Sequence, residues 1–278
     1  MRNIIAEGIY FPEGARWHEG AYWFSDIGAK TICRLVPGQP VEHVITVDMQ
    51  PSGLGWLPDG SLLVVSMIDQ RVMRFKDGAL IEHGDLSAIA KHWCNDMLVD
   101  SKGRAYVSCC GAHAGDPVVP APLMCIMPDG KARIVAPDLM FPNGIAVTSD
   151  GRTLVVAETA AHRLTRFDVA DDGSLSNKTS IGEYPGSWPD GICMDANDDI
   201  WVADPLSKAI LRIKLDGTLA ERIALEGIPM ACTLGGQQGN ELMACMVPQL
   251  DFHGIDASPT GWIETFEVNA CSQHPYSS

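Results

Sequence analysis

A chain of 278 residues with 46% hydrophobic content can bury the core of one large all-β domain or of two smaller ones. Its formal net charge of −15 argues against nucleic acid or an anionic membrane as partner, because both call for a basic surface. No apolar run reaches the roughly 18 residues of a membrane span and no basic–apolar–small leader opens the chain, so a cytoplasmic protein is expected.

In chain order, residues 3–10 read as an extended strand, 21–25 (AYWFS) as a second and 31–36 (TICRLV) as a third, with turns at 18–20 and at Pro37-Gly38. The same succession returns from Pro51-Ser52-Gly53, with strands over 54–57, 61–66 and 71–75. A third copy starts at Asn95-Asp96, with strands over 97–100, 104–108 and 123–127. It holds the longest irregular stretch, 109–122 (CCGAHAGDPVVPAP), whose Gly and Pro content makes it a loop and a candidate lid. A fourth copy runs through 144–148, 153–157 and 163–169, and a fifth through 191–194, 200–203 and 209–215. A weaker sixth begins at Pro229-Met230 and continues with 242–246 and 262–268. Apolar residues alternate or run in fours and fives, which is strand patterning and not the helical period.

One short phrase marks the start of these copies. Phe11-Pro12-Glu13-Gly14, Phe141-Pro142-Asn143-Gly144 and Trp188-Pro189-Asp190-Gly191 share an aromatic, a proline, an oxygen-bearing side chain and a glycine. The third place of the phrase falls at positions 13, 52, 95, 143, 190 and 230, with separations of 39, 43, 48, 47 and 40. Sheet repeats of about 40 to 50 residues are the mark of propeller blades. Residues 1–278 are therefore expected to form a single all-β domain, a six-bladed β-propeller. Stretches such as 42–47 and 133–136 would supply fourth strands, and 3–10 would join the last blade to close the ring. A β-sandwich with coincidental Asp-Gly turns is the alternative, and six phrases in register argue against it.

The inner strand of each blade lines a propeller's central channel, so the six third-place residues should meet at one mouth. They are Glu13, Ser52, Asn95, Asn143, Asp190 and Met230. Two carboxylates and two amides form an oxygen set suited to one hard divalent cation, Ca²⁺ first, with Mg²⁺, Mn²⁺ or Zn²⁺ also admitted. The plainer reading is that Asn and Asp only cap the blade turns. It leaves Glu13 unexplained. The nine cysteines are odd in number, Cys109 and Cys110 are adjacent, and no CxxC pair has zinc spacing, which fits buried reduced thiols.

FPEGARW, FPNGIAV, WPDGICMDANDDIWVAD and the sixth-copy segment ACTLGGQQGNELMAC resemble the senescence marker protein, regucalcin and gluconolactonase family of six-bladed propellers, over essentially the whole chain. The resemblance implies that Glu13, Asn143 and Asp190 hold the metal directly. It makes Asn95 a fourth contact, to the metal, its water or the substrate, and Asp190 the catalytic base. It also implies a metal-dependent hydrolase opening a lactone or a related ester. A divalent ion lowers the pKa of bound water and polarises a carbonyl, and a neighbouring carboxylate can take the proton.

The chain departs from that family in Lys91-His92-Trp93-Cys94-Asn95-Asp96, where Trp93 stands in the place of a substrate-binding Arg. An indole cannot give the fork of hydrogen bonds that a guanidinium gives, but it stacks on apolar or aromatic groups. The expected substrate is therefore less polar than a sugar lactone, with Trp93 as a contact and packing between blades as the competing role. His113 and Asp116 on the 109–122 loop are further candidates, and His253 in the 248–259 connection is a weaker one. Met230 and Cys232 would add soft wall. No GxSxG elbow, HExxH or phosphate-binding glycine loop is present. The alternatives are organophosphate hydrolysis, a lyase or cyclase step on an apolar substrate, and a non-catalytic calcium-binding propeller. A monomer or small homo-oligomer is expected.

Overall fold

The computed structural model describes residues 2–113, 115–250 and 256–273. Six four-stranded antiparallel sheets form six blades. Blades 1 to 4 each take consecutive strands, with inner strands Pro12–His18, Pro51–Trp56, Cys94–Val99 and Pro142–Val147. Blade 5 starts from the short inner strand Ile192–Met194. Blade 6 has Ile228–Gly235 innermost, then Glu241–Val247 and Gly261–Glu267, and Arg2–Ile9 as its outer strand. The first strand of the chain thus closes the ring, as expected from its position. The expected fourth strands at 42–47 and 133–136 correspond to Glu42–Thr46 and Ala132–Met140.

The second strand of each blade is covered on both faces by its neighbours. Leu62–Ser66, Ala105–Cys109 and Ile200–Asp204 are buried at every residue. Burial on both faces explains the continuous apolar runs, where a half-solvated strand would alternate. Leu63, Val65, Val107 and Met124 pack in one cluster between blades 2 and 3. Each such side chain contributes roughly 1.5–3 kcal/mol.

Around the channel the strands approach too closely for side chains at certain places. A Cβ on Gly144 would stand 2.4 Å from the Asp190 carbonyl oxygen, and one on Gly191 would stand 2.7 Å from the Ala231 Cα. The glycine of the phrase is required by this backbone-to-backbone packing.

Two boundaries differ from expectation. The inner strands of blades 1, 2, 3, 4 and 6 begin inside the phrase, at Pro12, Pro51, Cys94, Pro142 and Ile228, instead of after it. The blade 3 loop is shorter than 109–122, because the third strand already starts at Pro120. Its two arms are tied down by Cys110 N–H donating to the Trp93 carbonyl at 2.9 Å and Val119 N–H donating to the Gly111 carbonyl at 2.9 Å.

Candidate active site

Each of those five inner strands carries a register shift at the phrase: between Glu13 and Arg16, Pro51 and Leu54, Cys94 and Met97, Pro142 and Ile145, and Pro229 and Ala231. An extra residue in one strand of a pair bends it and re-aims the side chain there. Repeated around a ring, that bend turns the third-place residues toward one mouth. Glu13, Asn95, Asn143, Asp190 and Met230 line a single cavity of about 520 Å³ at that mouth. Ser52, fully buried, lies behind it. Cys232 is not part of the wall; its thiol lies 3.8 Å from the Gly191 carbonyl.

A hydrogen-bond tape crosses four blades. Ser52 Oγ donates to Asn95 Oδ1 at 3.3 Å, and Asn95 Nδ2 donates to Asn143 Oδ1 at 2.8 Å. Asn143 Nδ2 in turn reaches Thr159 Oγ1 at 3.2 Å, and that hydroxyl donates to the Pro189 carbonyl at 2.7 Å. Both amides are thereby held with their orientations set.

The two carboxylates are less satisfied. Glu13 Oε2 accepts the Gly14 N–H at 3.0 Å. Among the described residues no Lys, Arg or His pairs with Glu13 or Asp190. Burial pushes the Glu13 carboxyl up to about 8, against the pull of the Gly14 N–H, with the Asp96 charge adding to the rise and Arg16 opposing it. Burial, and then the Glu13 charge, raise Asp190 well above the ordinary carboxylate range, although Asn143 hydrogen-bonds to it. A half-buried and a buried carboxyl that repel one another, with no ion-pair partner among the described residues, are an arrangement that a cation between them would relieve. No group of three His, Cys, Asp or Glu is placed to hold a metal among the described residues. The donor set at this mouth fits a cation only with its amide oxygens counted, which suits a hard ion.

The walls come from another place in the same phrase. Two residues before each third place stand Phe11, Gln50, Trp93, Phe141, Trp188 and Ile228, and all but Ile228 line the cavity. Trp93 is therefore the blade 3 member of an aromatic set. His113, Gly115, Asp116 and Val118 of the blade 3 loop complete the wall, together with Ile27, Met67 and Leu250. The Trp93 and His113 rings meet edge to face, with centroids 5.4 Å apart. His253 lies outside the described residues.

Residues that hold the phrase in place escaped sequence reasoning. Asp26 Oδ1 accepts the Phe11 N–H and Oδ2 the Tyr10 N–H, both at 3.0 Å. Glu158 Oε2 accepts the Met140 N–H at 2.8 Å, and Asp204 Oδ1 accepts the Trp188 N–H at 2.8 Å. Each acid closes the second strand of its own blade, in AYWFSD, TLVVAE and IWVAD. An acid ending an apolar run was the available signal. Below the mouth, the Arg16 guanidinium bonds Asp96 Oδ1 at 2.8 Å and the carbonyls of Ala15, Leu54 and Met97, joining three inner strands.

Fold and site together define a six-bladed propeller with carboxylate and amide side chains at the floor of a largely apolar cavity. Residues 11–245 match the SMP-30/Gluconolactonase/LRE-like region, and the chain belongs to that family. Regucalcin of Oryctolagus cuniculus is 22% identical over 270 residues, covering 92% of this chain and 90% of its own. Diisopropyl-fluorophosphatase of Loligo vulgaris is 27% identical over 208 residues, covering 61% and 65%. A solved luciferin-regenerating enzyme superposes with a TM-score of 0.83 at 20% identity, over 98% of this chain and 97% of that one.

Proposed function

We propose that this protein is a divalent-cation-dependent hydrolase of lactones or related esters less polar than sugar lactones. The observation that carries the reading is the pairing of two rings in one cavity. Glu13, Asn95, Asn143 and Asp190 form its floor, and Phe11, Trp93, Phe141 and Trp188 its walls. Glu13, Asn143 and Asp190 would hold the ion, with Asn95 bonded to Asn143 beside them. Ca²⁺ suits the all-oxygen set first. A bound divalent ion would polarise the scissile carbonyl and make water more acidic.

The chain's own residues supply the remainder. Asp190 Oδ takes the proton of the attacking water and returns it to the leaving oxygen. The Asn95 amide, fixed by its bonds to Ser52 and Asn143, would present its remaining N–H and oxygen lone pair to the substrate. The aromatic walls exclude bulk water and accept an apolar acyl or ring substituent.

Chelation of purified protein, followed by add-back of Ca²⁺, Mg²⁺, Mn²⁺ or Zn²⁺, should abolish and restore hydrolysis of an apolar lactone. Full activity after verified removal of metal would sink the proposal. Organophosphate hydrolysis is the second reading, favoured by the likeness to diisopropyl-fluorophosphatase. Phosphoryl oxygens bind hard cations as carbonyls do, so a phosphotriester panel run beside the lactone panel separates the two.

A further inference from the structure

Nine large apolar side chains are exposed among the described residues, and they fall into two groups. Ile4, Ile81, Ile134 and Leu219 lie one apiece on the outermost strands of four different blades, where scattered apolar residues are ordinary surface. The other five belong to segments that line the cavity. Trp188 lines the cavity itself, and Met49, Ile68, Val119 and Leu206 are chain neighbours of the lining residues Gln50, Met67, Val118 and Pro205.

Their exposure, from 36% to 46%, does not exceed that of the scattered group; what sets them apart is that they flank one cavity. Backbone contacts keep them at the rim. Ile68 N–H donates to the Met49 carbonyl at 3.1 Å, which sets that pair side by side on blade 2. The Trp188 N–H bond to Asp204 ties Trp188 to the strand that leads into Pro205 and Leu206 on blade 5. Blade 3 contributes Val119 through its bond to Gly111. The site is thus graded from floor to surface: charged and amide oxygens, then aromatic rings, then an aliphatic collar open to water.

Resting on the hydrolase reading, we infer that the collar binds the tail of the substrate itself. The substrate is an amphiphile whose lactone or ester group reaches the floor, while an apolar substituent longer than the cavity runs out over Met49, Ile68, Val119 and Leu206. The collar comes from blades 2, 3 and 5, beside residues that line the cavity, so a bilayer or a second protein seated on it would lie against the entrance. A tail that leaves through the opening uses the same surface without blocking it. The net charge of −15 also sets the surface against anionic lipid.

A series of γ-lactones with unbranched alkyl substituents of about two to about ten carbons tests this, because each methylene that leaves water strengthens binding by roughly two- to fourfold. KM should fall by about twofold per methylene through the longest members. The Ile68→Ser/Leu206→Ser double variant, altered only at exposed positions, should shrink the KM ratio between shortest and longest members by roughly fivefold. An Ile81→Ser/Leu219→Ser control on the outer rim should keep the ratio. A KM that stops changing once the cavity is filled, or an unaltered ratio in the collar variant, overturns the inference while leaving the hydrolase reading standing. Should no lactone turn over, displacement of an environment-sensitive apolar fluorophore by the same series still decides the matter. Displacement at lower concentration by long members supports the collar, and equal displacement overturns it. Sedimentation with phosphatidylcholine vesicles, or a dimer, lost in the collar variant would also overturn it by assigning the surface another occupant.

Discussion

The two ends of the channel are built from the same six inner strands and treat charge in opposite ways. At the phrase end the strands bulge, a cavity of about 520 Å³ opens, and the half-buried Glu13 and buried Asp190 have no basic ion-pair partner among the described residues. Toward the other end the ladders run regularly and only about 60 Å³ remains, beside Arg16 and the segment that reaches Gln273. There the charges are matched. Arg16 meets Asp96, and the last described residues close over blade 5, with Ala196 N–H donating to the Cys271 carbonyl at 2.8 Å and Gln273 Nε2 to Asp198 Oδ1 at 2.7 Å. One end spends its polar groups on itself, and the other holds them ready for something else. That difference separates a charge matched within the fold from one left without a basic partner more clearly than burial does, since Asp96 and Asp190 are almost equally buried.

The comparison can be broken from either side. The largest expected effect is at the open end: Asp190→Asn should lower kcat by at least about 10³-fold at saturating Ca²⁺ while the protein remains folded by circular dichroism. A variant with near-normal turnover would remove Asp190 from the chemistry. At the matched end the effect should appear in stability instead. Arg16→Met leaves Asp96 buried and unpaired, and denaturant unfolding should show a loss of about 3–5 kcal/mol. A loss under about 1 kcal/mol would mean that water reaches Asp96 and that the two ends differ less than described.

Two smaller effects sharpen the division within the open end. Glu13→Gln should weaken Ca²⁺ binding about tenfold or more by calorimetry, against about threefold for Asn95→Ala, because only the first removes a formal charge. Equal losses would count against Glu13 as a ligand. Trp93→Arg should shift the kcat/KM ratio of a hydroxylated over an alkyl lactone by about tenfold toward the hydroxylated one. An unchanged ratio would make Trp93 a packing residue.

Much of the architecture was legible in sequence because it is written locally. The Asp-Gly turns, the apolar runs and the spacing of the phrase depend on neighbours within about 50 residues, and they sufficed for six blades and for the strand that closes the ring. The ring of third-place residues was legible for the same reason. What escaped was set by approach between blades. Asp26, Glu158 and Asp204 look like ordinary strand-end acids until the backbone N–H groups of the preceding segment are brought onto them. The loop over the site was drawn too long because its Pro-rich end, Pro120–Ile126, pairs with Ala132–Met140 despite containing two prolines.

Trp93 shows the division most plainly. In sequence it is a departure from a family pattern, one residue in an irregular segment. In the closed ring it occupies the same place as Phe11, Phe141 and Trp188, two residues before a floor residue, and faces the same cavity. The repeat, its period and the residue types at each place are readable along the chain, because they follow from local turn chemistry and strand patterning. Folding added the aromatic places two residues earlier to the same cavity and left Ser52 behind it. Closure of the ring, the bulge at each phrase and the glycine-allowed approach of neighbouring strands bring together side chains that lie 39 to 48 residues apart in the chain.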